Sequence, residues 1–128
     1  MDSVVHFEIP ADDLERVKKF YGELFGWQFD DVPEVNYVVA RTAEVDERRM
    51  PKQPGSINGG IMERNGTVTA PTFAINVSDI DTAIEKVKNA GGTIVRGKMT
   101  VGDMGFMVYF KDTEGNVASL WQAASRTS

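Results

Sequence analysis

His6 is the only histidine in the 128 residues, and there is no cysteine. Chemistry that needs two imidazoles in one chain is therefore closed to it, as are disulfides, thiolate nucleophiles, thiolate zinc sites and iron–sulfur clusters. The lone imidazole sits in an alternating run, Val5-His6-Phe7-Glu8-Ile9. On a strand, successive side chains face opposite ways, so Val5, Phe7 and Ile9 form one face and Val4, His6 and Glu8 the other. Two later runs divide in the same manner. Phe73, Ile75 and Val77 oppose Thr72, Ala74 and Asn76, and Ala118, Leu120 and Gln122 oppose Val117, Ser119 and Trp121. A face carrying His6, Glu8, Thr72, Asn76 and Ser119 is too polar for a dry core, and Tyr37, Ile61, Val117 and Trp121 can share it. Aromatic area with a few polar groups is what a small-molecule cavity requires. The competing reading is a sheet face open to solvent or covered by a partner subunit. Tyr37, Tyr109 and Trp121 are candidates for stacking on a flat ligand, whereas Trp27 suits packing at the start of a strand.

Two helices must hold these strands in place. Residues 13–26 carry Leu14, Val17, Tyr21 and Leu24 at helical spacing, with Phe20 and Phe25 widening the stripe. Asp12 followed by Glu15 resembles a capping box, and Gly26 suits the residue after the last turn. Residues 79–90 place Ile80, Ala83, Ile84, Val87 and Ala90 on one face, capped by Ser78 with Asp81 and ended by Gly91-Gly92. The two helices align at a constant shift of 66 positions, cap on cap and stripe on stripe, and Phe7 and Ile9 fall on Phe73 and Ile75. That agreement indicates an internal duplication. Three strand-like runs follow each helix: 27–30, 37–41 and 60–64, then 93–96, 106–110 and 117–122. Each half therefore reads strand–helix–strand–strand–strand, with 66–71 as a linker. The polar stretch 44–56 is either a solvated connection or a lid. Residues 102–105 form a turn or a loop bent over a cavity rim.

Composition bounds the partners. Nineteen acidic against fourteen basic residues leave a net charge of −5, which argues against a nucleic-acid surface. No apolar run approaches membrane-spanning length. Met1 leads straight into Asp2 and Ser3, without the basic and apolar stretches of a signal peptide, so a cytoplasmic protein is expected. The length fits one domain, residues 1–128, with modules at about 4–64 and 72–122.

The first strand, the helix end Phe20-Tyr21-Gly22-Glu23-Leu24-Phe25-Gly26-Trp27, Asp79-Ile80-Asp81, and Asp112-Thr113-Glu114-Gly115-Asn116 with Leu120-Trp121 together resemble the vicinal oxygen chelate superfamily. That superfamily includes glyoxalase I, bleomycin-resistance proteins, fosfomycin-resistance enzymes and extradiol dioxygenases. The resemblance covers about residues 4–122. It implies an α+β fold of two βαβββ modules forming a cupped, barrel-like mixed sheet with the helices outside, and a homodimer. In metal-using members the ligands lie on the first and last strand of each module. By position the first-strand sites are His6 and Thr72. Laying Gly59-Gly60-Ile61-Met62-Glu63 on Gly115-Asn116-Val117-Ala118-Ser119 makes Glu63 and Ser119 the other two. Thr72 and Ser119 depart from the pattern, where His or Gln and Glu are expected.

One imidazole and one carboxylate are too few for a Zn, Ni, Mn or Fe site, which takes three or more N or O ligands. Glu8, a second subunit or a chelating substrate could complete the set. Without metal, His6 beside Glu63 would form an acid–base pair suited to enolisation next to a carbonyl, as resemblance to glyoxalase I implies. Two classes follow: a lyase or isomerase using His6 and Glu63, or a metal-free protein that binds a small organic metabolite. Tyr37, Thr72, Asn76, Ser119 and Trp121 are the expected ligand contacts in both.

Overall fold

A computed structural model describes residues 1–48 and 50–124. Helix α1 (Leu14–Phe25) begins where the Asp13 carboxylate accepts the Arg16 N–H at 3.0 Å. The cap thus falls on Asp13 and not on the expected Asp12, whose carboxylate instead takes the Arg64 guanidinium at 3.0 Å. Helix α2 (Ile80–Asn89) repeats the displacement: Asp79, not Ser78, accepts from the Asp81 and Thr82 amides. In both cases the capping residue is extended and the helix starts one position later than read. Gly26, at φ 75, closes α1 in the left-handed region that its missing Cβ permits.

The chain divides into two units, His6–Pro71 and Met1–Val5 with Thr72 onward. The first is built on β1 (Val4–Ala11), β2 (Gln28–Val32), β3 (Tyr37–Arg41) and β4 (Asn58–Glu63), ordered β2-β3-β4-β1. β4 runs parallel to β1 and antiparallel to β3. The second unit contains β5 (Thr72–Asn76), β6 (Thr93–Val101), β7 (Gly105–Lys111) and β8 (Val117–Ala123), ordered β6-β7-β8-β5. Each unit is βαβββ with the same strand order and the same parallel pairing of first and last strands, so the duplication extends to topology. The fold class is α+β. No helix among the described residues is long and apolar enough to cross a membrane.

Each unit has its own apolar layer between helix and sheet. In the first, Ala11, Val38, Ala40 and Ile61 are buried against Leu14 and Val17 of α1, with Phe7, Ile9 and Phe29 around them. Ile61, expected on the polar face, belongs to this layer and is fully buried. Trp27 packs as expected, stacked on Tyr21 at 4.6 Å and tilted against Phe7 at 5.5 Å. The end of α1 does not join the layer, and Phe20, Leu24 and Phe25 are more than half exposed. The half-buried stripe of α1 therefore stops at the Tyr21–Trp27 stack. In the second unit Val77, Ile80, Val108 and Leu120 form the corresponding layer with Ala83, Ile84 and Val87 of α2.

Two connections differ from their sequence reading. β6 continues to Val101 because register irregularities between Ile94 and Arg96 and between Arg96 and Met99 absorb the misfit, as bulges do. Residues 102–104 then make a plain turn into β7. The stretch 44–56, of which Arg49 lies outside the described residues, folds back on itself. Val45 bridges Pro51, Asp46 N donates to Met50 O and Lys52 N to Glu44 O, both at 2.8 Å.

The glycine pair of β4 governs how closely its neighbours approach. A Cβ on Gly59 would lie 2.5 Å from both the Phe7 ring and the Phe7 carbonyl, whereas one on Gly66 would meet open space. Gly59→Ala should therefore cost about 2 kcal/mol or more in urea unfolding, and Gly66→Ala less than about 0.5 kcal/mol. Equal midpoints for the two variants would contradict this packing.

Candidate functional site

The register of β1 and β4 puts His6 opposite Asn58 and Glu8 opposite Gly60, all on the face turned away from α1. Tyr37, at the start of β3, shares that face because it pairs with Met62. Its phenol reaches across β4 to β1. The crossing is open because Gly60 has no side chain: a Cβ there would overlap the Tyr37 phenol. At the far side the phenol oxygen stands 2.8 Å from His6 Nε2 and donates to Glu8 Oε2 at 2.9 Å. The two rings lie nearly parallel, 17° apart with centroids 6.5 Å from each other.

These contacts set the proton positions. Tyr37 has one hydroxyl hydrogen and gives it to Glu8, so its oxygen receives a hydrogen from His6 Nε2. Nδ1 then keeps its lone pair. Glu8 is 1% exposed, which makes this carboxylate the most buried acidic group in the core. Burial of His6 disfavours the imidazolium and lowers its pKa from 6.5 to about 4, so the ring is neutral at pH 7. The result is a neutral imidazole joined to a buried carboxylate through a phenol. Sequence reading had Glu8 on this face and Tyr37 as a stacking ring, but not the bridge. The signal for it is the Gly59-Gly60 doublet, which clears one slot on each face of β4.

The remaining expected residues lie elsewhere. Glu63 pairs with Ala11, five positions along the ladder from the His6–Asn58 pair and on the α1 side of the sheet. That is about 16 Å of strand and the wrong face, so Glu63 and His6 are not brought together. The cause is the alignment of the last strands. Glu8 opposes Gly60 and Ala74 opposes Ser119, so the repeat matches Gly60, not Glu63, to Ser119. A slip of three residues reverses every side chain. In the second unit Thr72 and Ser119 share a face, but their hydroxyls turn to backbone carbonyls. Thr72 Oγ1 donates to Val117 O at 2.6 Å and Ser119 Oγ to Phe73 O at 3.4 Å. Asn76 pairs with Trp121, whose ring lies over Gly105.

The family model of the Glyoxalase/Bleomycin resistance protein/Dioxygenase superfamily matches residues 3–120. The chain belongs to this superfamily. It is 31% identical to the "Glyoxylase-like domain-containing protein" of Didymella fabae, covering 88% of both chains. It is also 31% identical to the "Putative glyoxylase CFP32" of Mycobacterium bovis, over 91% of its own length but only 44% of that relative. The chain thus spans less than half of that mycobacterial protein. The "Probable lactoylglutathione lyase" of Vibrio parahaemolyticus is 28% identical, over 93% of this chain and 89% of that one. Among solved structures, Streptomyces coelicolor methylmalonyl-CoA epimerase superposes with a TM-score of 0.65 at 17% identity, covering 98% and 97% of the two chains. That last likeness is one of fold.

A divalent metal is common in this superfamily, and the donor set here can be tested against one. No three His, Asp or Glu side chains gather among the described residues. On the face away from α1, His6 Nε2 and Glu8 Oε2 are both engaged with the same phenol. One imidazole and one carboxylate so occupied fall short of the three ligands that Zn, Ni, Mn or Fe requires, and do not fit such an ion.

The lowered pKa of His6 has a definite sign in stability. Between pH 6.5 and 4 the unfolded chain binds a proton on His6 that the folded chain does not, so stability falls as pH drops through that window and is unaffected above it. His6→Gln removes this contribution. The difference in unfolding free energy between the wild type and His6→Gln should narrow by about 2–3 kcal/mol between pH 7 and pH 4, measured by urea unfolding. Parallel pH profiles for the two proteins would show that the ring is not held neutral.

Proposed function

We propose that this glyoxalase-superfamily chain acts on a small oxygenated organic metabolite, and that His6, Tyr37 and Glu8 move a proton to and from a carbon beside a carbonyl. The observation that carries this reading is the continuous hydrogen-bonded chain from His6 Nε2 through Tyr37 Oη to Glu8 Oε2. An imidazole whose pKa lies near 4 is a weak base if it must keep the proton. Here it need not. His6 Nδ1 accepts the proton from carbon, His6 Nε2 passes its hydrogen to Tyr37, and Tyr37 passes its own to Glu8. The carbanion is left as an enolate, and the Glu8 carboxyl group receives the proton at the end of the chain. Return of the proton reverses each transfer. The substrate thus meets a neutral ring, while the carboxylate behind it acts as the proton sink.

The name of one relative supports this choice of chemistry, since a lactoylglutathione lyase has a substrate with a C–H beside a carbonyl. The same reading takes the chain as a cytoplasmic homodimer. A metal-dependent lyase or isomerase would need ligands from the substrate or a second subunit, and no step above uses one. A second reading, a metal-free binding protein, is favoured by the Tyr37 and Trp121 rings, each laid over a glycine as a flat apolar surface.

Exchange of the substrate C–H with solvent deuterium tests the enzyme reading, with S-lactoylglutathione and methylmalonyl-CoA as first probes. Tyr37→Phe keeps the ring but breaks the relay, and should slow exchange by about a hundredfold or more, as should His6→Gln and Glu8→Gln. Exchange at the wild-type rate in Tyr37→Phe would refute the relay. Saturable quenching of Trp fluorescence without any exchange would favour the binding protein.

A further inference from the structure

We propose that the groove bordered by Gln28, Arg41, Thr42, Glu44 and Lys52 is a recognition site for a phosphate or carboxylate group on the molecule that reaches His6. The role given to that anion rests on the function proposed above. The binding itself stands on the groove.

The groove is a half-open depression of about 380 Å³, within the usual size of small-molecule sites. Its position is set by register. Gln28 pairs with Arg41, Ala40 pairs with Gly59 so that Arg41 follows opposite Asn58, and Asn58 pairs with His6. Gln28, Arg41, Asn58 and His6 therefore form one row across the sheet, on one face. Two strand spacings, about 10 Å, separate the backbone of Arg41 from that of His6. The Asn58 carboxamide ties the two places together, because its oxygen accepts from the Thr42 and Ala43 amides at 2.8 and 2.9 Å. The opposite wall is the folded stretch in which Lys52 N bonds to Glu44 O. Both walls are thus fixed by hydrogen bonds before any ligand arrives.

The charge of the lining runs against that of the chain. Arg41 and Lys52 outnumber Glu44, while the whole molecule carries −5. Arg41 leans on Asp30 through Nε, 3.0 Å from Oδ2, and its side chain remains 38% exposed. Among the described residues no hydrogen bond occupies its two terminal amino groups. That planar fork matches the oxygen pairs of phosphate and carboxylate, and Lys52 adds a second, flexible cation.

Inorganic phosphate, titrated into the isotope-labelled protein in about 0.1 M NaCl, is the direct probe. Saturable shifts of the Thr42 and Ala43 amides are expected. Arg41→Gln and Lys52→Gln should each weaken binding by about tenfold, and Glu44→Gln should tighten it a few-fold. Asp30→Asn removes the ion pair yet keeps the guanidinium, so it should bind phosphate at least as well as the wild type. Shifts that rise without saturating, or equal affinities in the wild type, Arg41→Gln and Lys52→Gln, would overturn the proposal. The two ideas fail separately. Loss of deuterium exchange in Tyr37→Phe without phosphate binding sinks the groove alone, and phosphate binding with unchanged exchange in Tyr37→Phe sinks the relay alone.

Discussion

A phenol anchored on β3 must pass over the whole of β4 to touch two residues of β1, and it can do so at one level of the ladder only. That level is Gly60. A methyl group there would occupy the space of the Tyr37 oxygen, and His6 and Glu8 would lose the atom that joins them. The position of the imidazole hydrogen and the link to a carboxyl group with almost no solvent contact both follow from this clearance, while burial keeps the ring neutral. Gly59 performs the matching service on the other face, where it lets Phe7 settle against β4 under α1. Two adjacent residues without side chains thus thin the sheet on both sides at once.

The duplicated units share a scaffold but have parted in chemistry. At equivalent register positions the first unit carries His6, Glu8 and Gly60, and the second Thr72, Ala74 and Ser119. The second set contains no group that ionises near neutral pH, and its two hydroxyls are committed to backbone carbonyls. The layer packed beneath each helix is apolar in both units, because each must bury its own helix. The change from His6, Glu8 and Gly60 to Thr72, Ala74 and Ser119 falls on the other face, where the alternation of the strand allows a substitution without disturbing the packing beneath.

What could be read from the residues follows the same division. Helix extents, the glycine that ends α1, the inward and outward faces of β1, β5 and β8, and the repeat itself all arise from local patterning. The register of β4 does not. Gly59-Gly60-Ile61-Met62-Glu63 has little alternation to choose a face, and its pairing with β1 is set by contacts some fifty residues away in the chain. Aligning that run by its glycines moved Glu63 onto a face it does not occupy and Ile61 out of a layer it helps to build. The caps differ for a smaller reason: at each helix start two neighbouring residues, Asp12 and Asp13 or Ser78 and Asp79, can accept from a helix amide, and the second of each pair does so. The bridge through Tyr37 combines both difficulties, since it needs the long-range register and the missing side chain together.

The two tryptophans fall one to each unit. Trp27 is stacked on Tyr21 and tilted against Phe7, and Trp121 rests on the bare backbone of Gly105. The molecule therefore carries a separate optical reporter in each half. With either indole replaced, emission from the other follows a single half through denaturation, and coincidence or separation of the two curves measures how far the repeated units melt as one.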